Sequence, residues 1–579
     1  MVATVLYAST LDVPFHFDDA DAVVGNTSIR TLSGALTPPA RGEPVAGRPL
    51  VNLSFALNYA AGGLAVEGYH AVNLALHVAC ALVMLALVRR TLDRQAVRDA
   101  TPLAVAVVLL WTVHPLASET VTYVSQRTES MMALCYLLTL YAFARGWAVA
   151  AIVACAAGMA CKETMVTAPV MVFLYDRTFV AGSFSEALRA RRGFYAALAG
   201  TWIVLVALIW SGPRWESAGF ASGVSPWTYL LNQAVMLVEY LQRALWPTGL
   251  VFDYGEPLPV GLGDVWLQAT VVLLLLVATV VALVRRPVLG WLGAWFFVLL
   301  APTSSIVPIA TEVGAERRMY LSLAAVVALA VFGARTFWTR LSGGSHTGAT
   351  RVAATIALCA CTVGLSSATL TRTAEYADEQ TLWQTVLDRW PSARAHRNMA
   401  TALKRAGRDA DALPHLRAAT VDHPEARFAL GYELVEQGQL AEGVVELERY
   451  LRDYPRSAEA VTAHALAAGA LVRLERVEEA AGHFARVTAL APGDGQAWLS
   501  YGTALAELGR LSEAEDALRR AVALQQSSAG PSMMLGLVLE GQGRLAEAVA
   551  SLERAAAIDP TDAETRAHLA RVRSALPSR

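Results

Sequence analysis

Charge is what this chain has least of. Only 17% of its 579 residues are Asp, Glu, Lys or Arg, against about 25% in soluble globular proteins. The two signs nearly cancel, leaving a formal net charge of -2, so the basic excess that marks a nucleic-acid partner is missing. Cysteine is scarce too. All six (Cys80, Cys135, Cys155, Cys161, Cys359 and Cys361) lie inside apolar stretches or at their edges. They show neither zinc-ligand spacing nor a disulfide framework and read as small buried hydrophobes. The opening MVATVLYASTLDVPF carries no basic n-region and no cleavage site of the kind a signal peptide has. It is too short to span and is expected to be the outer half of a first transmembrane helix whose start is truncated or misassigned.

What the chain has in excess is apolar sequence, 55% of all residues. Residues 64–370 hold many runs near the ~20 residues that cross a bilayer core. Candidate spans are 68–90, 101–115, 129–145, 147–162, 164–180, 194–211, 265–284, 288–304, 319–338 and 351–370. Two parts are therefore expected: an integral membrane domain over 1–374 with an external loop 12–67, and a charged, alanine-rich soluble domain over 375–579. The fold class is all-α.

Basic residues collect on the cytoplasmic side of membrane proteins. Arg89, Arg90, Arg94 and Arg98 follow the first full span; Arg189, Arg191 and Arg192 precede the sixth; Arg285 and Arg286 follow the seventh; Arg335 and Arg340 follow the ninth. One alternating path puts all four clusters inside. The same path puts 12–67, 114–128, Lys162–Glu163, 212–264, 305–318 and the C-terminal domain outside. It requires that 227–246, which carries Glu239, Gln242 and Arg243, lie in the interface or re-enter rather than cross.

From about residue 393 the chain repeats with a period near 34, the tetratricopeptide spacing. Repeats start near 393, 425, 458, 494 and 529, with a capping helix over 561–576. Gly509 and Gly543 mark the turns within two pairs, while Pro424, Pro455, Pro492 and Pro560 end second helices. Ala514 and Ala548 are small where two helices must approach. Such arrays hold a peptide or partner helix in a concave groove, so this part is expected to bind protein.

Four polar patches remain, all on the expected outer face. In FHFDDADAVVGNTSIR, Asp18 and Asp19 suit a general base or a pair of hard ligands for a divalent cation such as Mg or Mn; a solvated turn or helix cap would use the same residues. In 111–132, Glu119, Tyr123, Gln126, Arg127 and Ser130 share one helical face, as the wet side of an interfacial helix would, or as the lining of a cavity would. Lys162 and Glu163 stand between two spans, either as an interfacial turn or with Lys162 on a lipid-linked phosphate. In EVGAERRMYLS, Arg317 and Arg318 sit outside against the positive-inside tendency. They either hold anionic phosphate through bidentate bonds or pair with Glu312 or Glu316.

The motifs FHFDD, RPLVNLSFALNYAAGGLAVEGYHAVNLALHVACAL (48–82), HPLASETVTYVSQRTE (114–129), KETMVTAPVMVFLYD (162–176), YLQRALWPTGLVFDY (240–254) and ERRMYLSL (316–323) resemble, in order and over nearly the whole chain, the transmembrane-and-tetratricopeptide O-mannosyltransferases of the GT-C superfamily and their bacterial relatives. That resemblance implies a sugar, mannose or another hexose, moved from a polyprenyl-phosphate donor to a Ser or Thr hydroxyl of a protein outside the cytoplasm. It implies inversion at the anomeric carbon and an acidic base in the first external loop, here Asp18 in preference to Asp19. Arg317, Arg318 and Lys162 would receive the departing phosphate. His114, Glu119, Arg127, Glu163 and Tyr320 would line the pocket, and the repeats would present the acceptor protein. The expected setting is a bacterial inner membrane with the site and repeats on the periplasmic side. The sugar is not fixed by the resemblance. The competing readings are a non-catalytic membrane scaffold whose repeats recruit partners and an O-antigen-type polymer ligase. The ligase is disfavoured by the short 305–318 loop, and a transporter by the gathering of polar residues at the outer surface.

Overall fold

The computed structural model describes residues 2–39, 44–210, 219–220, 223–341, 348–421 and 423–576, and every regular element among them is a helix. Residues 40–43 of the 12–67 loop, residue 211 of the 194–211 span, and 212–218 and 221–222 of the 212–264 segment lie outside the described residues. The chain forms two compact units, Met1–Ser392 and Ala393–Arg579. That division falls later than 374/375 because Glu379–Arg389 packs into the first unit. Its Trp383 is buried and meets Phe17 and Phe252 edge-on.

Five helices of the first unit are long and apolar enough to cross a membrane: Val66–Arg94, Phe184–Trp210, Leu262–Arg285, Glu316–Arg340 and Thr350–Ala374. A sixth is added if Ala100–Thr112 and Pro115–Thr122, bent by 59° at His114, count as one broken span. The ten expected spans are thus not ten full-length helices. Ala148–Met159 has 12 residues and Pro287–Leu300 has 14, about 18 and 21 Å at 1.5 Å per residue, less than the hydrocarbon core. None of the apolar window of Leu262–Arg285 is buried within the protein, so its Leu and Val side chains need a lipid surround. Cys359 and Cys361 are likewise exposed on the Gly348–Ala374 helix, unlike the buried Cys80, Cys155 and Cys161. Pro226–Leu245 is one uninterrupted helix that does not meet the apolar criterion, with Glu239 and Arg243 paired along it.

Helix length separates two ends of this unit. Asn73, near the start of Val66–Arg94, receives a hydrogen bond from Arg127 at the start of Arg127–Arg145. Arg90 and Arg94 lie at the other end of the first helix and Arg145 at the other end of the second, about 25–30 Å away along the axes. Arg335 donates to the carbonyl of Arg98 at 3.1 Å, so two arginine clusters far apart in sequence share that second end.

In the second unit, helix pairs begin at Ala393, Ala426, Ala460, Gly495 and Ala529, and Ala563–Ala575 closes the series. Within two pairs the closest approach is at Gly502 and Gly536. A Cβ there would meet Leu518 or Leu552 at 2.6–2.7 Å and the carbonyl of Ala514 or Ala548 at 3.3–3.4 Å. The intra-pair turn needs a left-handed residue, supplied by Gly407, Gly438, Gly509 and Gly543 in four repeats and by Glu475 (φ 60°) in the third. A side chain in that region costs about 1–2 kcal/mol. Glu475→Gly is expected to stabilise the array by roughly 1 kcal/mol, offset in part by glycine's freer unfolded chain. Slower hydrogen exchange in 460–490 would bear this out, and unchanged or faster exchange would contradict it.

Candidate functional site

The two adjacent aspartates have different surroundings. Asp19 is buried and fixed: Oδ2 accepts the backbone N–H of His16 at 3.1 Å and Oδ1 that of Ser125 at 2.6 Å. It pins the loop after the first helix to the segment 106 residues later in the chain. Asp18 is half-buried. Its backbone N–H donates to the hydroxyl of Tyr123 at 2.8 Å, and its carboxylate shares a hydrogen bond with the same side chain within the field of Arg317. Between His16 and Asp18, Phe17 holds φ at 39°, a region costing about 1–3 kcal/mol for a non-glycine residue and concentrated at functional sites. The turn thereby sends one carboxylate into the protein and leaves the other at its surface.

Burial pushes both carboxyls above the usual carboxylate range. Asp19 rises to about 7 although two backbone N–H groups oppose the shift. Asp18 is also raised, with Arg317 pulling it back down. For Asp19 the folded chain holds its proton more tightly than the unfolded chain. Its contribution to stability is complete below pH ~4 and is lost as pH rises to about 7. Asp19→Asn places an NH2 group against one of two N–H donors, so it is expected to cost about 1–3 kcal/mol and to flatten that pH dependence. Thermal unfolding in detergent between pH 4 and 8 checks this; an unchanged midpoint with an unchanged pH slope would contradict it.

The other three patches join the aspartates at this end. Glu119 of the 111–132 segment is buried. Its Oε2 accepts the backbone N–H of Arg317 at 2.8 Å and its Oε1 accepts Nη1 at 2.5 Å. Nη2 of Arg317 is bidentate to Glu312 at 2.6 and 2.7 Å, and Arg318 reaches the same carboxylate at 3.1 Å. Lys162 is paired with Glu129, and Glu163 with Arg48 of the external loop at 2.8 Å. A cavity of about 10 Å³, room for one water, separates Lys162 and Glu129 from Arg318. Arg317, Arg318 and Lys162, expected as phosphate ligands, are therefore all ion-paired in this conformation. An incoming phosphate would have to share or displace Glu312 and Glu129.

Three expected pocket residues are held in the interior instead. Tyr320 is fully buried, with its hydroxyl 2.7 Å from Nδ1 of His77 and its ring against Trp111. His114 caps the short turn after it through Nδ1 and meets the carbonyl of Ala244 at 3.1 Å through Nε2, so both ring nitrogens are used. The bend of the broken span falls at this residue. Arg127 has no acid partner among the described residues. It donates to Asn73, Asn58, Ser54 and the carbonyl of Tyr69, and lies 4.5 Å over the ring of Phe55. It therefore ties the external loop to the helical bundle.

The pair Asp18–Asp19 does not by itself form a closed cation site. Both oxygens of Asp19 already accept N–H groups, and no group of three His, Cys, Asp or Glu side chains converges among the described residues.

Sequence reading passed over the stretch after the last span. Arg372 bridges Glu316 at 3.2 Å and Glu375 at 2.5 Å, and Arg389 holds Glu375 at 2.6 Å. The same stretch supplies Tyr376, whose carbonyl meets Nε2 of His16 at 2.8 Å. Trp383 joins Phe17, Phe252 and Tyr123 in an aromatic wall with ring centres 5.0–6.4 Å apart. The signal was present: RTAEYADEQTLWQTVLDRW is both charged and aromatic where a plain linker would be neither.

Fold and site together define a multi-pass helical membrane protein with an acidic, arginine-braced site at one end of its bundle and a tetratricopeptide array. The family model described as "Tetratricopeptide repeat" matches residues 428–494, 466–532 and 529–563. The chain is a relative of the transmembrane-and-tetratricopeptide proteins named O-mannosyl-transferases. It is 33% identical over 301 residues to "Protein O-mannosyl-transferase Tmtc1" of Drosophila melanogaster, covering 44% of this chain and 33% of that protein. It is 25% identical over 490 residues to "Protein O-mannosyl-transferase TMTC4" of Mus musculus, covering 72% and 65%. The matches span about a third of the length of the Drosophila relatives Tmtc1 and Tmtc2. Among solved structures, YrrB, titled "a TPR protein with an unusual peptide-binding site", aligns with 32% of this chain and 96% of its own at 21% identity and a TM-score of 0.30.

Proposed function

We propose that the chain is a membrane glycosyltransferase that moves a hexose, mannose in the first instance, from a polyprenyl-phosphate donor to a hydroxyl of a protein acceptor outside the cytoplasm. The observation that carries this reading is the asymmetry of the aspartates. Asp19 is consumed in holding the turn, while Asp18 stands half-buried beside Tyr123 in the field of Arg317. Asp18 takes the proton of the acceptor hydroxyl as its oxygen attacks the anomeric carbon. The bond from that carbon to the phosphate oxygen breaks, its electron pair leaves with the polyprenyl phosphate, and attack from the opposite face inverts the centre. Arg317 and Arg318 stabilise the growing phosphate charge once Glu312 yields to it. The exposed edge of Phe17 in the aromatic wall offers a face for the sugar ring, the tetratricopeptide groove presents the acceptor, and the membrane is a bacterial inner membrane with this end periplasmic.

The relatives' names support the reaction class, and the repeats support a protein acceptor. The test is transfer by the purified full chain from a panel of polyprenyl-phosphate sugars to extracytoplasmic protein. Transfer from one donor class that disappears with Asp18→Asn is expected. Absence of transfer from every donor by folded protein would favour a membrane-anchored scaffold.

A further inference from the structure

At the end of the bundle away from Asp18, a cavity of about 560 Å³ is lined by six arginines, Arg90, Arg94, Arg145, Arg189, Arg191 and Arg192, and by no carboxylate. Three stretches supply them: the end of Val66–Arg94, the end of Arg127–Arg145, and the helix Phe184–Gly200. The positive-inside tendency places arginines at this end of the bundle; it does not require that three separate helices bring six of them around one open cavity of ligand size.

The chamber is built by specific contacts. Helix Phe184–Gly200 breaks at Arg191 (φ -137°, ψ 28°). The break is held by Asp176, which accepts Nη1 of Arg191 at 3.0 and 2.8 Å and the hydroxyl of Tyr195 at 2.5 Å. Arg90 is fixed by the carbonyl of Ala144 at 2.7 Å. These contacts leave Arg94, Arg145, Arg189 and Arg192 at the cavity with no acid partner among the described residues. All four are exposed, so water screens their mutual repulsion, and a polyanion entering the cavity gains bidentate bonds to them. Phe143 and Phe194 form an apolar wall beside them. Arg177, one turn before the lining residue Val180, lies 5.2 Å over the ring of Phe184 and has Nε and Nη1 buried without a hydrogen-bond partner.

We propose that this cavity binds a phosphate-rich anion: the headgroup of an acidic membrane lipid bearing two phosphates, or the same chemistry supplied as free pyrophosphate. Basic chambers between transmembrane helices take such headgroups. The separation of about 25–30 Å from the Arg127 end is one hydrocarbon thickness, so the chamber stands at the opposite membrane interface from Asp18 and is independent of the sugar-transfer reading.

The test uses delipidated full-length protein in neutral detergent. Native mass spectrometry would follow binding of diphosphatidylglycerol, phosphatidylcholine and inorganic pyrophosphate. The double variant Arg189→Gln/Arg192→Gln would be compared with Arg285→Gln/Arg286→Gln, which removes equal charge from exposed positions elsewhere. At least tenfold lower diphosphatidylglycerol occupancy in the first variant alone supports the site and assigns it to lipid. Pyrophosphate binding with the same arginine dependence, and no lipid binding, supports the site and assigns it to a soluble anion. Equal occupancy in both variants, or phosphatidylcholine held as well as the anionic lipid, overturns it.

Discussion

Asp18→Asn is expected to lower sugar transfer about 10²- to 10⁴-fold, the range for losing a general base, without altering the fold. The side chain's hydrogen-bond partner, Tyr123, is also held by the Asp18 backbone N–H and can be kept by an Asn side chain; the turn itself is pinned by Asp19, through His16 and Ser125. The pH profile gives an independent reading. Because burial raises Asp18 above the ordinary carboxylate range, and the base must be ionised to act, the acidic limb of kcat/KM should rise at a pH above that of a free aspartate. The limb should vanish from the residual activity of Asp18→Asn. A folded Asp18→Asn protein with full activity would remove Asp18 from the mechanism.

Arg317→Ala is expected to damage the protein itself. The guanidinium lies between the buried Glu119 and the largely buried Glu312 and joins segments 198 residues apart. Removing it leaves buried carboxylate charge without its partner, which costs about 3–5 kcal/mol, a large share of a domain's stability. Removing both charges should separate stability from chemistry. Glu119→Leu/Arg317→Met replaces the pair with apolar volume and is expected to recover most of the thermal stability, since such exchanges are often neutral, while sugar transfer stays lost. Arg317→Ala protein that melts like the parent would contradict the structural role. Full transfer by the double variant would contradict the catalytic one.

How far the sequence could be read depends on the range of the interactions. The tetratricopeptide array was legible because its determinants are local: the turn glycines, the terminating prolines and the small residues recur at a period that needs no knowledge of distant partners. Each of the four polar patches was legible alone. Their joining was not, because Asp19 meets Ser125 across 106 residues and Arg48 meets Glu163 across 115. For Arg317 and Arg318 the sequence left phosphate and an ion pair with Glu312 or Glu316 both open, because residue type reveals charge but not who neutralises it; Glu312, five or six positions back, pairs with both. Helix length within the apolar runs was less legible. An apolar run of 12–14 residues looks the same in sequence whether it crosses a bilayer or packs inside the unit. The aromatic wall was hidden because Phe17, Phe252 and Trp383 lie far apart in the chain.

The most direct test of the central claim is the intact mass of an acceptor protein after incubation with the purified chain and a polyprenyl-phosphate mannose donor, beside the Asp18→Asn chain. The account predicts a gain of one hexose per modified hydroxyl with the parent chain, in the inverted configuration, and none above background with the variant. Equal hexose addition by both proteins, or none by a folded parent chain across mannose and other hexose donors, would contradict it.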